Sequence, residues 1–251
     1  MYHSTGLTKR LIDKLHARIA AREIKPGMRI WPPILGLRES IIVTLKYLRR
    51  NRAQADIAEE FGVSQPTVSR AIAAVTPLIV QALADFIPSA DPLAHGRQFI
   101  IDGTLLPCWS WRSRPDLYSG KHKRTGMGVL VACTLSGVLS RVSDPVPGSR
   151  HDNFIVKDSS VLDCVDPIDY VGDKGFVGNG MITPFKKPAG GMLLPWQKEF
   201  NSQVNKIRWI IEQKISHLKT WQSMNTDYRR PIETFTEAIS AVVSLEFFRN
   251  F

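Results

Sequence analysis

The pattern of apolar residues changes character about a third of the way along the chain. Before that point, apolar residues recur at helical spacing, as in the face formed by Leu11, Leu15 and Ile19. This spacing predicts an all-α segment. Two prolines among small residues follow at 88–92, a composition typical of a linker. We therefore predict a helical domain over 1–90 and a second domain over 91–251.

Short strand-like runs replace the helical pattern beyond the linker. They lie at 98–101, 129–135, 138–142 and 168–171, and only Ser136-Gly137 separates the middle two, as in a hairpin. Helical periodicity returns in a helix through Val204 and Ile211, and a final apolar helix covers about 231–248. Strands followed by helices, with one early hairpin, predict an α/β domain in which a mixed sheet is flanked by helices.

The charge balance narrows the choice of partner. The chain of 251 residues has 33 Lys and Arg against 23 Asp and Glu, a net charge of +10. A surplus of this kind indicates a polyanionic partner, either nucleic acid or an anionic membrane. No apolar run approaches the roughly 18 to 20 residues of a membrane-spanning helix, so we expect nucleic acid and no membrane partner. Three widely spaced cysteines fit neither a disulfide framework nor a zinc ribbon, and favour a reducing cytosol.

A helix-turn-helix is predicted at about 54–75. An amphipathic helix over 54–61 closes at Gly62, and a second helix begins after the potential capping residue Ser64. In this motif the start of the second helix enters the major groove of DNA. The outward side chains there, which we predict to contact bases and phosphates, are Gln65, Thr67, Ser69 and Arg70. The alternative is an ordinary helical hairpin whose polar residues face water.

Three acidic residues form a candidate catalytic set. Asp102 and Asp173 are expected at strand ends, and Glu212 lies on the helix that follows residue 200. Carboxylates brought together in this way can hold two divalent metal ions, which serve phosphodiester hydrolysis by activating an oxygen nucleophile and stabilising the leaving oxygen. Hard oxygen ligands suit Mg²⁺ or Mn²⁺. The alternative is that both aspartates are turn residues and that Glu212 forms a solvated ion pair.

Several stretches together resemble the DDE-type transposases of the IS5-like group, which are DDE superfamily endonucleases with an N-terminal helix-turn-helix. Together with the helix-turn-helix, these stretches span most of the chain, and they occur in the same order as in the family. The stretches that carry the resemblance are Ile101–Thr104, Tyr118–Gly126, Pro147–Asp152, Gly172–Phe176, Arg208–Glu212 and Leu218–Trp221.

The resemblance implies an RNase H-like catalytic domain in which Asp102, Asp173 and Glu212 match the family's two Asp and its Glu as catalytic residues and metal ligands. It implies two Mg²⁺ ions per active site, with Mn²⁺ as a substitute. The implied reaction is cleavage at the ends of a mobile element, followed by joining of the freed 3′ ends to target DNA. One departure is that Gln213 follows the Glu, where the family usually has Arg.

The resemblance also implies the partners of the protein. They are double-stranded DNA, both the terminal inverted repeats of the element and the target, and further copies of the chain in a homodimer or higher multimer. The expected location is the bacterial cytoplasm, in association with the nucleoid. A domesticated or inactive DDE-fold protein that regulates through DNA binding is the alternative.

Further charged residues are candidates for a supporting role. Lys121, Lys123 and Arg124 precede the predicted hairpin and are expected to contact phosphates, although a solvated loop would have the same composition. The remaining candidates either contact DNA or support the metal-binding carboxylates, and they are His151, Asp152, Lys174 and Arg208. A structural histidine is the alternative for His151.

Overall fold

The computed structural model divides the chain into two compact units. Unit 1 contains 1–87 together with 218–251, and unit 2 contains 88–217. The final helix therefore packs with the N-terminal helices, whereas the sequence pattern placed it in the second domain. Most of the predicted linker lies outside the described residues, which are 2–22, 30–88, 98–110, 113–159 and 166–249.

Helices dominate unit 1, and the strands belong to unit 2. The α-helices of the described residues are α1 (Tyr2–Thr5), α2 (Lys9–Ala20), α3 (Gly36–Arg50), α4 (Gln54–Phe61), α5 (Gln65–Ala82), α6 (Asp152–Asp158), α7 (Pro195–Leu218) and α8 (Phe235–Arg249). The strands are β1 (Phe99–Pro107), β2 (Tyr118–Ser119), β3 (Arg124–Thr134), β4 (Leu139–Val142), β5 (Val146–Pro147) and β6 (Tyr170–Val171). No helix in the described ranges is both long and apolar enough to cross a membrane.

Helix α8 forms the centre of unit 1. It is buried around most of its circumference, including Ser244 and Glu246, and it packs against α5. An apolar helix of this kind is stable only when other helices surround it. Trp221, in the segment before α8, is fully buried and lies so close to Gly6 that a Cβ there would be 2.8 Å from the indole ring. Unit 1 is thus built from both ends of the chain.

Unit 2 is organised around a mixed sheet. The strand order is β2-β3-β1-β6, and β4 and β5 also pair with β3. Strand β1 is antiparallel to β3 and parallel to β6. The predicted hairpin is confirmed as β3 and β4, and its turn contains Gly137 at a φ of +76°. One face of the sheet packs on α6 through Ile155 and Val156.

Strand β1 differs from its predicted length. The sequence pattern ended the strand before Asp102, but the strand continues to Pro107 and pairs with β3 throughout. The reason is that the apolar residues Leu105 and Leu106 continue the buried strand beyond Asp102-Gly103, so this dipeptide is not a turn. Asp102 therefore lies in the middle of a well-paired strand.

Candidate active site

Two parallel neighbouring strands bring Asp102 and Asp173 to the same level of the sheet. Ile100 of β1 pairs with Val171 of β6, and each aspartate lies two residues beyond its member of that pair. Ligands and catalytic groups commonly gather beyond the carboxyl ends of parallel strands. The register of these two strands thus places two carboxylates together that are far apart along the chain.

Arg208 of α7 joins the two aspartates. Its Nη2 lies 3.3 Å from Asp102 Oδ2, and its Nη1 lies 3.5 Å from Asp173 Oδ1. The Arg208 side chain is only 11% exposed, so this contact is largely shielded from water. A planar guanidinium can hold two carboxylates through separate nitrogens, which a lysine ammonium does less rigidly.

Local hydrogen bonds fix both carboxylates. Asp102 Oδ1 accepts from the backbone N–H of Gly103 at 2.9 Å, and Asp173 Oδ1 accepts from the backbone N–H of Lys174 at 2.6 Å. Asp173 also caps the short 3₁₀ helix Lys174–Phe176. Carboxylates held by backbone donors have little freedom to turn away, so the pair is ordered before any ligand binds.

A third carboxylate, that of Asp152, stands beside the pair. A Cβ on Gly103 would lie 2.8 Å from Asp152 Oδ1, so a larger residue at 103 would displace this carboxylate. Asp152 Oδ2 accepts a 2.6 Å hydrogen bond from Lys121 Nζ. The structure therefore brings Asp152 and Lys121 to the aspartate pair. The glycine that directly follows Asp102 is the sequence feature that accommodates Asp152.

The electrostatics of the cluster show an excess of negative charge. The pKa of the Asp102 carboxyl is raised from 3.8 to about 6, mainly by burial and also by repulsion from Asp173 and Asp152, against the attraction of Arg208. The Nε of Arg208 is buried and has no hydrogen-bond partner among the described residues. The three carboxylates of Asp102, Asp173 and Asp152 outnumber the cations of Arg208 and Lys121, so the cluster can accept additional positive charge.

Glu212 is not brought into this cluster. It is exposed, and no contact with either aspartate is present. Glu212 lies four residues after Arg208 on α7, so the two side chains are neighbours on one face of the helix. Within the described residues, no group of three or more His, Cys, Asp or Glu is placed to hold a metal ion. The carboxylates of Asp102 and Asp173 are nevertheless the oxygen ligands that divalent cations prefer.

Comparison with known proteins identifies the family. Residues 101–246 match the family model of the DDE superfamily endonucleases. The chain belongs to the DDE superfamily endonucleases. Residues 34–85 match a second model, the helix-turn-helix of DDE superfamily endonucleases. The matched regions include both aspartates, Glu212 and the predicted helix-turn-helix.

Two relatives of this DDE endonuclease are named as transposases. A protein of Streptomyces albus G, named as a transposase for insertion sequence element IS112, is 27% identical over 87% of this chain and 82% of its own length. A protein of Microchaete diplosiphon, named as a transposase for insertion sequence element IS702, is 25% identical over 82% of this chain and 76% of its own length. No solved structure matches the chain at a significant level.

The helix-turn-helix of the DDE endonuclease consists of α4 and α5. Gly62 ends α4 at a φ of +62°, and Val68 and Ile72 on the inner face of α5 are buried, as the helical spacing of apolar residues requires. At the start of α5, Gln65 and Arg70 are exposed and Ser69 is half-buried. These side chains lie where the motif contacts DNA.

Thr67 differs from its predicted role. Its side chain is buried, and its hydroxyl lies 3.0 Å from Ser64 Oγ and accepts a 3.4 Å hydrogen bond from Arg70 Nη2. Because this hydroxyl is hydrogen-bonded to residues at the start of α5, it is not available to a base edge. The structure therefore gives Thr67 the task of holding Arg70 and the helix start in place.

The other predicted contacts lie at the surface of unit 2. Lys123 and Arg124 are exposed at the start of β3, and Lys174 is exposed beside Asp173. His151 is the exposed residue before α6. All four are accessible to a ligand, and Lys174 is adjacent in sequence to an aspartate of the pair.

Proposed function

We propose that this DDE endonuclease is an insertion sequence transposase of the IS5-like group. It would bind the ends of its element, cleave phosphodiester bonds there and join the 3′ ends to target DNA. The contact of Arg208 with both Asp102 and Asp173 carries the proposal, because it gathers the family's two aspartates at one point. The naming of two relatives as insertion sequence transposases supports it.

The aspartate cluster fits divalent metal ions. Asp102 and Asp173 would hold two Mg²⁺ ions, or Mn²⁺ in their place, with Glu212 as the third ligand residue. The raised pKa of Asp102 and the position of Glu212 one helical turn beyond Arg208 support this set. When bound, such ions activate an oxygen nucleophile and stabilise the leaving oxygen. Arg208 orients the two aspartates and balances part of their charge.

The two units would have separate tasks. Unit 2, in which β3 is antiparallel to β1 and β4 and the later strand β6 runs parallel to β1 and leads to Asp173, supports an RNase H-like catalytic domain. The exposed Gln65 and Arg70 of unit 1, with the half-buried Ser69, would read the terminal inverted repeats, and Lys123 and Arg124 would contact phosphates. Pairing two element ends would require a homodimer or higher multimer, acting at the bacterial nucleoid.

Cleavage of an element-end duplex tests the proposal. A labelled duplex with the flanking ends of the encoding locus is incubated with Mg²⁺, Mn²⁺ or EDTA and with wild type, Asp102→Asn or Glu212→Gln. We expect metal-dependent nicking at the element boundary by wild type, loss of nicking in both variants, and unchanged DNA binding. The exposed Asp144→Asn is the matched control and should cleave normally.

Two results would contradict the proposal. Cleavage by Asp102→Asn would remove Asp102 from the catalytic set. Specific binding by wild type without cleavage under any metal would favour a DNA-binding regulator that keeps the fold but lacks the chemistry.

A further inference from the structure

A cavity of about 390 Å³ opens next to the aspartate cluster in unit 2. Thr104 of β1 and Asp152 of α6 line it, so one of its walls is shared with the cluster. Two short segments, 118–122 and 148–151, contribute most of the remaining lining. A volume of this size is at the small end of the range for pockets that enclose a small ligand, and it can take one nucleotide but not a duplex.

The lining has the chemistry of a nucleotide site. Lys121 and Arg150 bring positive charge, and the carboxylate of Asp152 is already paired with Lys121. Arg150 lies over the ring of Phe154, with its guanidinium carbon 4.7 Å from the ring centroid, which limits where the guanidinium can point. The hydroxyls of Ser119 and Ser149 add hydrogen-bonding groups.

Tyr118 provides a surface for a base. It lines the cavity, and it is 52% exposed although it pairs with Thr125 in the sheet. Exposed aromatic rings beside basic residues are typical of sites where unpaired bases stack. The strand fixes the direction of the ring, and the ring contributes little to the core. Its exposed surface is therefore available to a ligand.

We infer that this cavity holds one unpaired nucleotide of the DNA strand being cleaved. Enzymes that act at a single position in DNA can take a nucleotide out of the stack, at the cost of unpairing it. Here the base would stack on Tyr118, and Lys121 and Arg150 would contact the adjoining phosphates. The shared wall at Asp152 would keep the neighbouring phosphodiester bond beside Asp102 and Asp173. This inference rests on the proposed function, since it assigns a place to the substrate of that site.

Fluorescence of 2-aminopurine tests the inference independently of cleavage. The analogue, which brightens when it leaves the stack of neighbouring bases, replaces bases one at a time around the expected cleavage point of the element-end duplex. Binding is measured in EDTA and in Ca²⁺. With wild type, we expect brightening at one position or at adjacent positions only. Tyr118→Ala should lose the brightening and bind the duplex roughly tenfold more weakly, whereas Tyr118→Phe should keep both.

A matched control is the exposed Trp196 of α7, which does not line the cavity and is 57% exposed. Trp196→Ala should brighten the duplex as wild type does. Binding by wild type without brightening at any position, or brightening that survives in Tyr118→Ala, would overturn the inference. Cleavage without unpairing would overturn this inference alone. Unpairing without cleavage under any metal would overturn the proposed function and leave the nucleotide site standing.

Discussion

Replacing Asp102 by Asn should stabilise the protein while it abolishes cleavage. In the folded chain the pKa of Asp102 is about 6, against 3.8 for an ordinary aspartate, mainly because the carboxyl is buried. The folded state therefore keeps a proton on Asp102 between these two values, while the unfolded chain has lost it. Stability is lost as the pH rises from about 3.8 to about 6, and the loss is constant above that range.

The size of the effect follows from the two pKa values. Each unit of difference is worth about 1.4 kcal/mol, so ionisation of Asp102 should cost about 3 kcal/mol of stability at pH 8. An asparagine does not ionise, so the variant avoids this cost. Compared with wild type, Asp102→Asn should gain nothing at pH 4 and up to about 3 kcal/mol at pH 8. The loss of one contact of Arg208, which still has Asp173, reduces the gain.

Chemical denaturation at several pH values measures this difference. Subtracting the wild-type free energy of unfolding from that of the variant removes the other titrating groups from the comparison. The exposed Asp144→Asn is the matched surface control and should change the free energy of unfolding little. Mg²⁺ should stabilise wild type more than Asp102→Asn, because a ligand stabilises only the state that binds it. A variant that is less stable than wild type by the same amount at every pH would refute the reasoning.

Three further substitutions test other contacts. Arg208→Gln leaves the two aspartates without their shared cation and should lower the free energy of unfolding in EDTA by about 3 kcal/mol, an effect that added Mg²⁺ should reduce; unchanged stability would contradict this role. Arg70→Gln should weaken binding of the element end by about 1 to 3 kcal/mol and reduce discrimination against an end with a mismatched base pair, as measured with matched and altered duplexes; an equal loss for both duplexes would mean that Arg70 does not read a base. Glu246→Ala removes the buried acceptor of Trp221 and Arg249 and should cost about 3 kcal/mol in denaturation, whereas Glu233→Ala at the surface should cost little.

The local pattern of apolar and turn residues was enough to predict most of the helices and strands. The hairpin around Gly137 and the inward residues of the helix-turn-helix follow from nearby residues, because turn type and helical spacing are local properties. Thr67 was predicted less well. Its spacing put it on the outer face, but its hydroxyl bonds to Ser64 and Arg70, and such local competition is not visible in periodicity alone.

The arrangement of the aspartate cluster could not be predicted without tertiary information. The resemblance to a family selected Asp102 and Asp173, and the register of β1 with β6 shows why they meet. The sequence could not show that Asp152 packs over Gly103, because this contact depends on where α6 crosses the sheet. Nor could it show that Arg208, and not Glu212, fills the space between the aspartates.

The path of the chain also explains how the DNA-binding helix is supported. Helix α8 follows unit 2 in sequence, yet it packs against α5, the second helix of the helix-turn-helix. Tyr228, just before α8, stacks on Phe235 at 4.3 Å and contacts Tyr47 of α3 edge-on at 6.5 Å. The core beneath α5 is therefore completed only by residues that come after the whole of unit 2. Unit 1, closed in this way, cannot be separated from unit 2 by cutting the chain at the predicted linker, because the cut would leave α8 on the other piece.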